Sequence, residues 1–360
     1  MDVTESGHAA RVSAYTAVGT RLSLLSDRRL ADAVAAAPSL GSGIGGRSAE
    51  LEVEGIRVFV KRVPLTDLEL QPQHVRSTAN VFDLPLFYQY GVGSAGFGAW
   101  RELAAHIMTT GWALKNEYAG FPLLYHWRVL PDSPPAGFVD GLGGVEGAVA
   151  HWDGSSAVRR RLEAIGGSSF SLVLFLEHVP QTLAQWLGDS RDAAQPEPGC
   201  ESPYRWVENA LLQGTEFMSA RGLVHFDAHF ANLLTDGRRV YFADFGLALS
   251  RDFELSAEER DFLTDHLVYD RSYAPNHLLR HHLPDDVRGG TEHGAFLRDW
   301  MDGHQPSDIP PDLAAIIDRH ARHAIVLDDF HRRLLTQSKR TPFPAAEVKR
   351  ALAGASTSAE

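Results

Sequence analysis

One stretch, LVHFDAHFANLLTDGRRVYFADFG from Leu223 to Gly246, constrains this chain more than any other. It sets His225, Asp227 and Asn232 at fixed spacing, and Asp244-Phe245-Gly246 follows twelve residues after Asn232. Two short apolar runs bracket Asp236-Gly237, which reads as a tight β-hairpin. A fold for this chain must therefore hold an aspartate-bearing loop before a hairpin and an Asp-Phe-Gly turn after it. Either motif alone is equally well read as an Asp/Asn hairpin with no chemistry. Both, in this order and at this spacing, argue for a site.

The rest of the chain supplies a scaffold large enough to hold one. Its 360 residues are 44 % apolar and 22 % charged, ordinary globular usage with room for two or three lobes or domains. A formal net charge of −12 argues against a general nucleic-acid binder. The single cysteine, Cys200, permits no intrachain disulfide and suits a reducing compartment. The N-terminal residues lack the basic region and apolar run of a secretory signal. No run approaches 18 uninterrupted apolar residues, the length of a membrane span. A cytoplasmic protein without membrane or nucleic-acid partners is expected. The seventeen histidines are scattered, with no Cys/His spacing of a structural zinc site.

Residues 9–37 read as helical, with Ser26 placed to cap SDRRLADAVAAA, so 1–37 is expected to be an N-terminal helical extension. After a glycine cluster, Ala49 to Val53 and Ile56 to Val60 alternate about Glu54-Gly55, the pattern of a hairpin. Trp100 to Leu114 reads as a helix, and Pro122 to Leu130 and Phe170 to Leu176 as strands. Residues 64–96 show no period, and 131–168, rich in Gly and Ser, read as an irregular connector. Helices are expected over about 181–188 and 203–220, with a loop at 189–201 between them. From Ser256 the chain reads as mostly helical, and Ser256-x-x-Glu259 fits a capping box. Residues 351–360 are expected to be a disordered tail. Strands early and helices late, joined near residue 178, make an α+β protein with two lobes and a cleft.

Taken together, His225-x-Asp227-x-x-x-x-Asn232 and Asp244-Phe245-Gly246 resemble the catalytic loop and metal-binding turn of the protein-kinase-like superfamily. The resemblance implies a two-lobed fold: an N-lobe with a small antiparallel β-sheet over 38–178, with insertions at about 64–96 and 131–168, and a mostly helical C-lobe over 179–350. It also implies ATP and Mg²⁺ as cofactors. Phosphoryl transfer needs a base near the acceptor hydroxyl and oxygen ligands for magnesium. Asp227 would be that base and Asn232 and Asp244 the metal ligands, with His225 and His229 in the same loop.

Upstream, Gly41-x-Gly43-x-x-Gly46 leads into a strand rather than the helix that a dinucleotide site requires. It is therefore similar to the kinase glycine-rich loop that lies over the ATP phosphates. Val58-Phe59-Val60-Lys61 closes the hairpin, and Lys61 would pair with the α- and β-phosphates. Glu102 would be its carboxylate partner, with Glu69 and Glu117 as competitors; the insertion at 64–96 would account for the 41-residue gap. Glu177-His178-Val179 resembles a kinase hinge, where the backbone of Glu177 and Val179 would bind the adenine edge and Leu176 would border the pocket.

Three departures bear on the acceptor. Phe226 stands where many regulated protein kinases carry arginine, so control by a phosphorylated activation loop is not expected. His229 stands where protein Ser/Thr kinases have lysine and aminoglycoside- and choline-type kinases often have histidine. Tyr273-Ala274-Pro275-Asn276 falls near the place of Ala-Pro-Glu, with asparagine in the glutamate position. The expected activity is transfer of the γ-phosphoryl group of ATP to a hydroxyl, leaning toward a protein Ser/Thr hydroxyl. The alternatives are a small-molecule phosphotransferase of the aminoglycoside/choline kinase type and a nucleotide-binding pseudokinase scaffold.

Overall fold

The alternating runs about Glu54-Gly55 form the predicted hairpin, with φ 52° and 74° at the two turn residues, as a tight two-residue connection requires. The computed structural model describes residues 3–91, 93–192 and 202–356. The protein is α+β and about half helical. Its chain divides into two units: Met1–Val179 with Ala243–Glu259, and Pro180–Phe242 with Arg260–Glu360.

The first stretch of unit 1 contains α1 (Val3–Ser23), α2 (Asp27–Ala36), β1 (Ser39–Gly43), β2 (Gly46–Val53), β3 (Ile56–Leu65), α3 (Ala99–Leu114), β4 (Leu124–Pro131), α4 (Gly144–His151), α5 (Ser156–Gly166) and β5 (Phe170–Glu177). The strands make one antiparallel sheet in the order β1-β2-β3-β5-β4. β5 lies between β3 and β4, which is why its run is apolar on both faces. One face packs Val58, Val60, Val173 and Phe175 against Val18, Leu22, Leu30 and Val34 of α1 and α2. The other packs Val63, Leu65, Leu172 and Leu174 against Ala99, Trp100 and Leu103 of α3. Ser26 caps α2 as expected. The N-terminal helices are thus a wall of the core rather than an appendage.

One expectation is corrected in unit 1. Residues 131–168 are not an irregular connector, because α4 and α5 occupy much of them. Ser155 caps α5, and Val158, Arg161, Leu162 and Ile165 form its buried face. The glycines of 141–147 concealed the start of α4. The described residues of 66–98 form no strand or α-helix, as the missing period implies, but the segment is packed: Phe82, Leu84, Phe87, Tyr88 and Tyr90 are buried.

Unit 2 begins with β6 (Gln181–Thr182), α6 (Leu183–Asp192), α7 (Pro203–Ala220), β7 (Leu223–Val224), β8 (Leu233–Thr235) and β9 (Val240–Phe242). β6, β8 and β9 form a small antiparallel sheet. The expected helix over 181–188 starts later because Gln181 and Thr182 pair with Thr235 and Leu234. It runs on to Asp192, so 189–192 are helical rather than loop. Residues 193–201, including Cys200, lie outside the described residues. The return segment in unit 1 carries β10 (Leu249–Ser250), and α8 (Ala257–His266) leads back into unit 2. The expected capping box closes at its start, with Ser256 N–H donating to Glu259 Oε2 at 2.9 Å and Glu259 N–H to Ser256 Oγ at 3.1 Å.

Then follow α9 (Tyr269–His277), α10 (Asp285–Arg288), α11 (His293–Met301), α12 (Pro311–Thr336) and α13 (Ala345–Ser356). The expected tail at 351–360 is corrected over its first part: 351–356 end α13, with Ala351 buried, and 357–360 lie outside the described residues. Among the described residues, no helix is long and apolar enough to cross a membrane.

Two predictions follow from this packing. Gly46 has φ +123°, and a Cβ there would sit 2.2 Å from the Arg62 carbonyl oxygen. Gly46→Ala should cost about 2–4 kcal/mol through strain and overpacking, read as a lowered denaturation midpoint. In unit 2, burial lowers the pKa of His266 and His331 to about 4, and burial with the charges of His281, His282 and His229 lowers His277 to about 3. These rings stay neutral when folded but take up protons near pH 6.5 once unfolded. Stability is therefore full above pH 6.5 and falls as the pH drops toward 4, by up to about 1.4 kcal/mol per group per pH unit. Melting followed from pH 7.5 to 4.5 should show that loss; a flat profile would contradict it.

Candidate active site

In unit 1, β3 delivers Lys61 and the first turn of α3 delivers Glu102, both buried where helix and sheet pack. Lys61 Nζ lies 2.7 Å from Glu102 Oε1 and 2.7 Å from Asp244 Oδ1. Of the competing glutamates, Glu69 caps α3 by accepting Ala99 N–H at 2.8 Å, and Glu117 follows the end of that helix. Burial works against charge on Lys61, but the two carboxylates and their hydrogen bonds outweigh it, and its pKa is raised. Glu102 is pushed up to about 6 by burial, with Lys61 opposing and the charge of Asp244 adding to the rise.

The Asp-Phe-Gly turn is locally strained. Asp244 has φ 61°, rare for a residue with a side chain. Its carboxylate is 43 % exposed and accepts Gly246 N–H at 3.4 Å. Phe245 anchors the turn, its ring 5.1 Å from that of His106 and 6.1 Å from that of Phe121. His106 lies one helical turn beyond Glu102, a spacing that could have flagged it.

The glycines divide by role. Gly41 and Gly43 lie in exposed β1, and Gly46 is required for the close approach to β3. Sequence reasoning passed over Gly45: a Cβ there would stand 3.8 Å from Lys61 Nζ. The β1–β2 turn thus brings its backbone over the ammonium.

At the end of β5, Glu177 N–H donates to the Leu123 carbonyl at 2.8 Å, so that N–H is not available to a ligand. Its carboxylate accepts Arg11 Nε at 2.9 Å, Arg11 Nη2 at 2.6 Å and Leu123 N–H at 3.0 Å. Arg11 also donates to the carbonyls of Ala119 and Phe121. No local pattern indicated that α1 reaches this point. Leu176 is buried in the core facing α3, and Val179 ends this stretch of unit 1.

In unit 2, the Asp227 loop hangs from a residue the sequence did not single out. Asp270 of α9 accepts His225 N–H at 2.5 Å and Phe226 N–H at 3.0 Å. Its pKa is pushed up to about 7 by burial, opposed by those two N–H groups and raised further by the charge of Asp227. Phe226 has φ 64° and packs its ring among Phe262, His266 and Tyr269. His225 is buried, and its Nδ1 accepts Asp227 N–H at 3.3 Å. Asn232 Nδ2 donates to the Asp227 carboxylate at 2.9 Å and to its carbonyl at 3.1 Å. The amide oxygen of Asn232 takes no part in either bond. His229 Nε2 lies 3.6 Å from Asp227 Oδ1. Tyr273 to Asn276 are part of helix α9, where Ala274 is buried and Asn276 donates to Asp328 at 2.9 Å.

Among the described residues, no three His, Cys, Asp or Glu side chains group as a metal site. Comparison with family models gives no match, and comparison with curated proteins gives no significant one.

Asp270→Asn keeps the shape but offers one oxygen to two N–H groups. Each buried donor left without an acceptor costs about 1–3 kcal/mol. Amide exchange at His225 and Phe226 should accelerate markedly; unchanged protection would refute the anchoring role.

Proposed function

We propose that the protein is an ATP- and magnesium-dependent kinase of the two-lobed protein-kinase-like type, with unit 1 as nucleotide-binding N-lobe and unit 2 as helical C-lobe. The observation that carries this reading is Lys61, held 2.7 Å from both Glu102 and Asp244 beneath the backbone turn at Gly45. An ammonium kept charged by one buried carboxylate is a fixed cation for phosphate oxygens. The second carboxylate is exposed, so it is the partner a bound phosphate would displace from Lys61.

The residues fit magnesium. Mg²⁺ takes hard oxygen donors, usually one or two carboxylates completed by phosphates and water, so a cluster of three acidic side chains is not needed. Asp244 would hold it, and when bound it neutralises the phosphate charge. Asp227 would take the acceptor proton. Asn232 fixes its orientation, His225 positions the loop from the interior, and His229 stands beside it. Adenine would be read by the Glu177 carbonyl and the Val179 backbone.

Between acceptor classes, one observation favours a small-molecule hydroxyl over a protein Ser/Thr hydroxyl. Tyr273-Ala274-Pro275-Asn276 is wound into a buried helix, so it offers no exposed strip on which a peptide could lie.

The test is Mg²⁺-dependent transfer of label from γ-labelled ATP to protein substrates and to a panel of small hydroxylated amines. Asp227→Ala should lower turnover by about 10³-fold or more with ATP affinity kept, because the base acts on the acceptor. Asp244→Ala should abolish the magnesium dependence of nucleotide binding. ATP binding without transfer to any acceptor would instead support the pseudokinase scaffold.

A further inference from the structure

Two buried arginines outside the residues just assigned hold α3. Arg161 of α5 donates to Glu69 Oε2 at 2.7 Å, and both side chains are 2 % exposed. The other oxygen of Glu69 accepts the N–H of Ala99, first residue of α3, at 2.8 Å. Gly98 has no side chain with which to cap the helix, so Glu69 does so from a distance, and its carbonyl also accepts Trp100 Nε1 at 2.9 Å. Two residues on, Arg101 donates Nη2 to Glu259 Oε1 at 2.5 Å and Nε to the Thr78 carbonyl at 2.7 Å. Glu259 is the residue that closes the capping box at the start of α8. Thr78 in turn accepts Glu254 N–H at 2.8 Å.

Burying an ion pair costs much of the hydration of both ions, and apolar side chains often stabilise as well. What such pairs supply in some proteins is one register out of several. The register set here is that of the turn carrying Glu102, the residue after Arg101. Where a segment is ordered by phosphorylation, the phosphate works by pairing with arginine. Here the segment after Asp244 already carries a carboxylate, Glu259, on Arg101.

We propose that Arg101 and Arg161 are positioning residues that lock α3 so that Glu102 stays against Lys61 without covalent modification of residues 247–259. The two stretches at 66–98 and 132–169, which carry no catalytic motif, supply much of the lock. The functional meaning rests on the kinase reading; the lock itself does not.

The experiment measures acylation of Lys61 by a small lysine-reactive reagent, read by mass spectrometry on phosphatase-treated, nucleotide-free protein. Lys349, an exposed lysine of unit 2, is the internal standard. Glu102→Gln calibrates the unlocked state. Arg101→Met and Arg161→Met should each raise Lys61 acylation about tenfold, the effect of one pKa unit, relative to Lys349. Arg101→Lys and Arg161→Lys, which keep the charge, should fall between; they carry the test if the methionine variants do not fold. Wild-type rates in folded variants would overturn the proposal. So would fast labelling of dephosphorylated wild type that slows on phosphorylation of 247–259. Absent phosphoryl transfer with Lys61 still protected would count against the kinase reading and leave the lock standing.

Discussion

A single ammonium stands between two carboxylates in the interior of unit 1, and the surrounding structure answers to that arrangement. Lys61 could not remain charged there alone, because burial favours the neutral amine. Glu102 and Asp244 reverse that preference, and each comes from a distant part of the chain. Their placement needs a helix packed on β3 and a return of the chain after β9. Burial pushes Glu102 up to about 6 despite Lys61, and the charge of Asp244 adds to that rise.

The Asp227 loop in unit 2 is organised by the same logic with opposite sign. There a buried carboxylate, Asp270, gathers backbone N–H groups instead of a cation. Its two bonds hold His225 and Phe226, including the left-handed backbone at Phe226. In each unit a partly exposed carboxylate, Asp244 or Asp227, is set by buried groups: Lys61 and Glu102 in one, Asp270 in the other. That division is what a preorganised site requires, since the fixing groups must not be able to turn toward water.

How much was legible in the sequence depended on the range of the interaction. The β2–β3 hairpin, the Ser26 cap and the Ser256/Glu259 box were readable because each is set within a few residues. Lys61, Asp227, Asn232 and Asp244 stood out because their spacing is itself the signal, and the fold pairs Lys61 with Asp244 and Asn232 with Asp227. Glu102 was found despite its distance because it lies on a strongly periodic helix. The supporting residues were not readable: Arg161 meets Glu69 across 92 residues, Arg11 meets Glu177 across 166, and Asp270 meets His225 across 45. No local pattern marks such partners. Helix α4 was missed because glycines diluted its period, whereas α5 kept its period and its cap at Ser155 and was passed over. Gly45 was missed because a template of spaced glycines overlooks the position between them.

The most direct test of the central claim asks whether the phosphates of ATP lie against Lys61. An acyl-phosphate derivative of ATP transfers its acyl group to whichever lysine adjoins the phosphates, and peptide mapping locates the mark. The account predicts acylation at Lys61, suppressed by excess Mg·ATP. Labelling confined to surface lysines, or labelling of Lys61 indifferent to Mg·ATP, would contradict it.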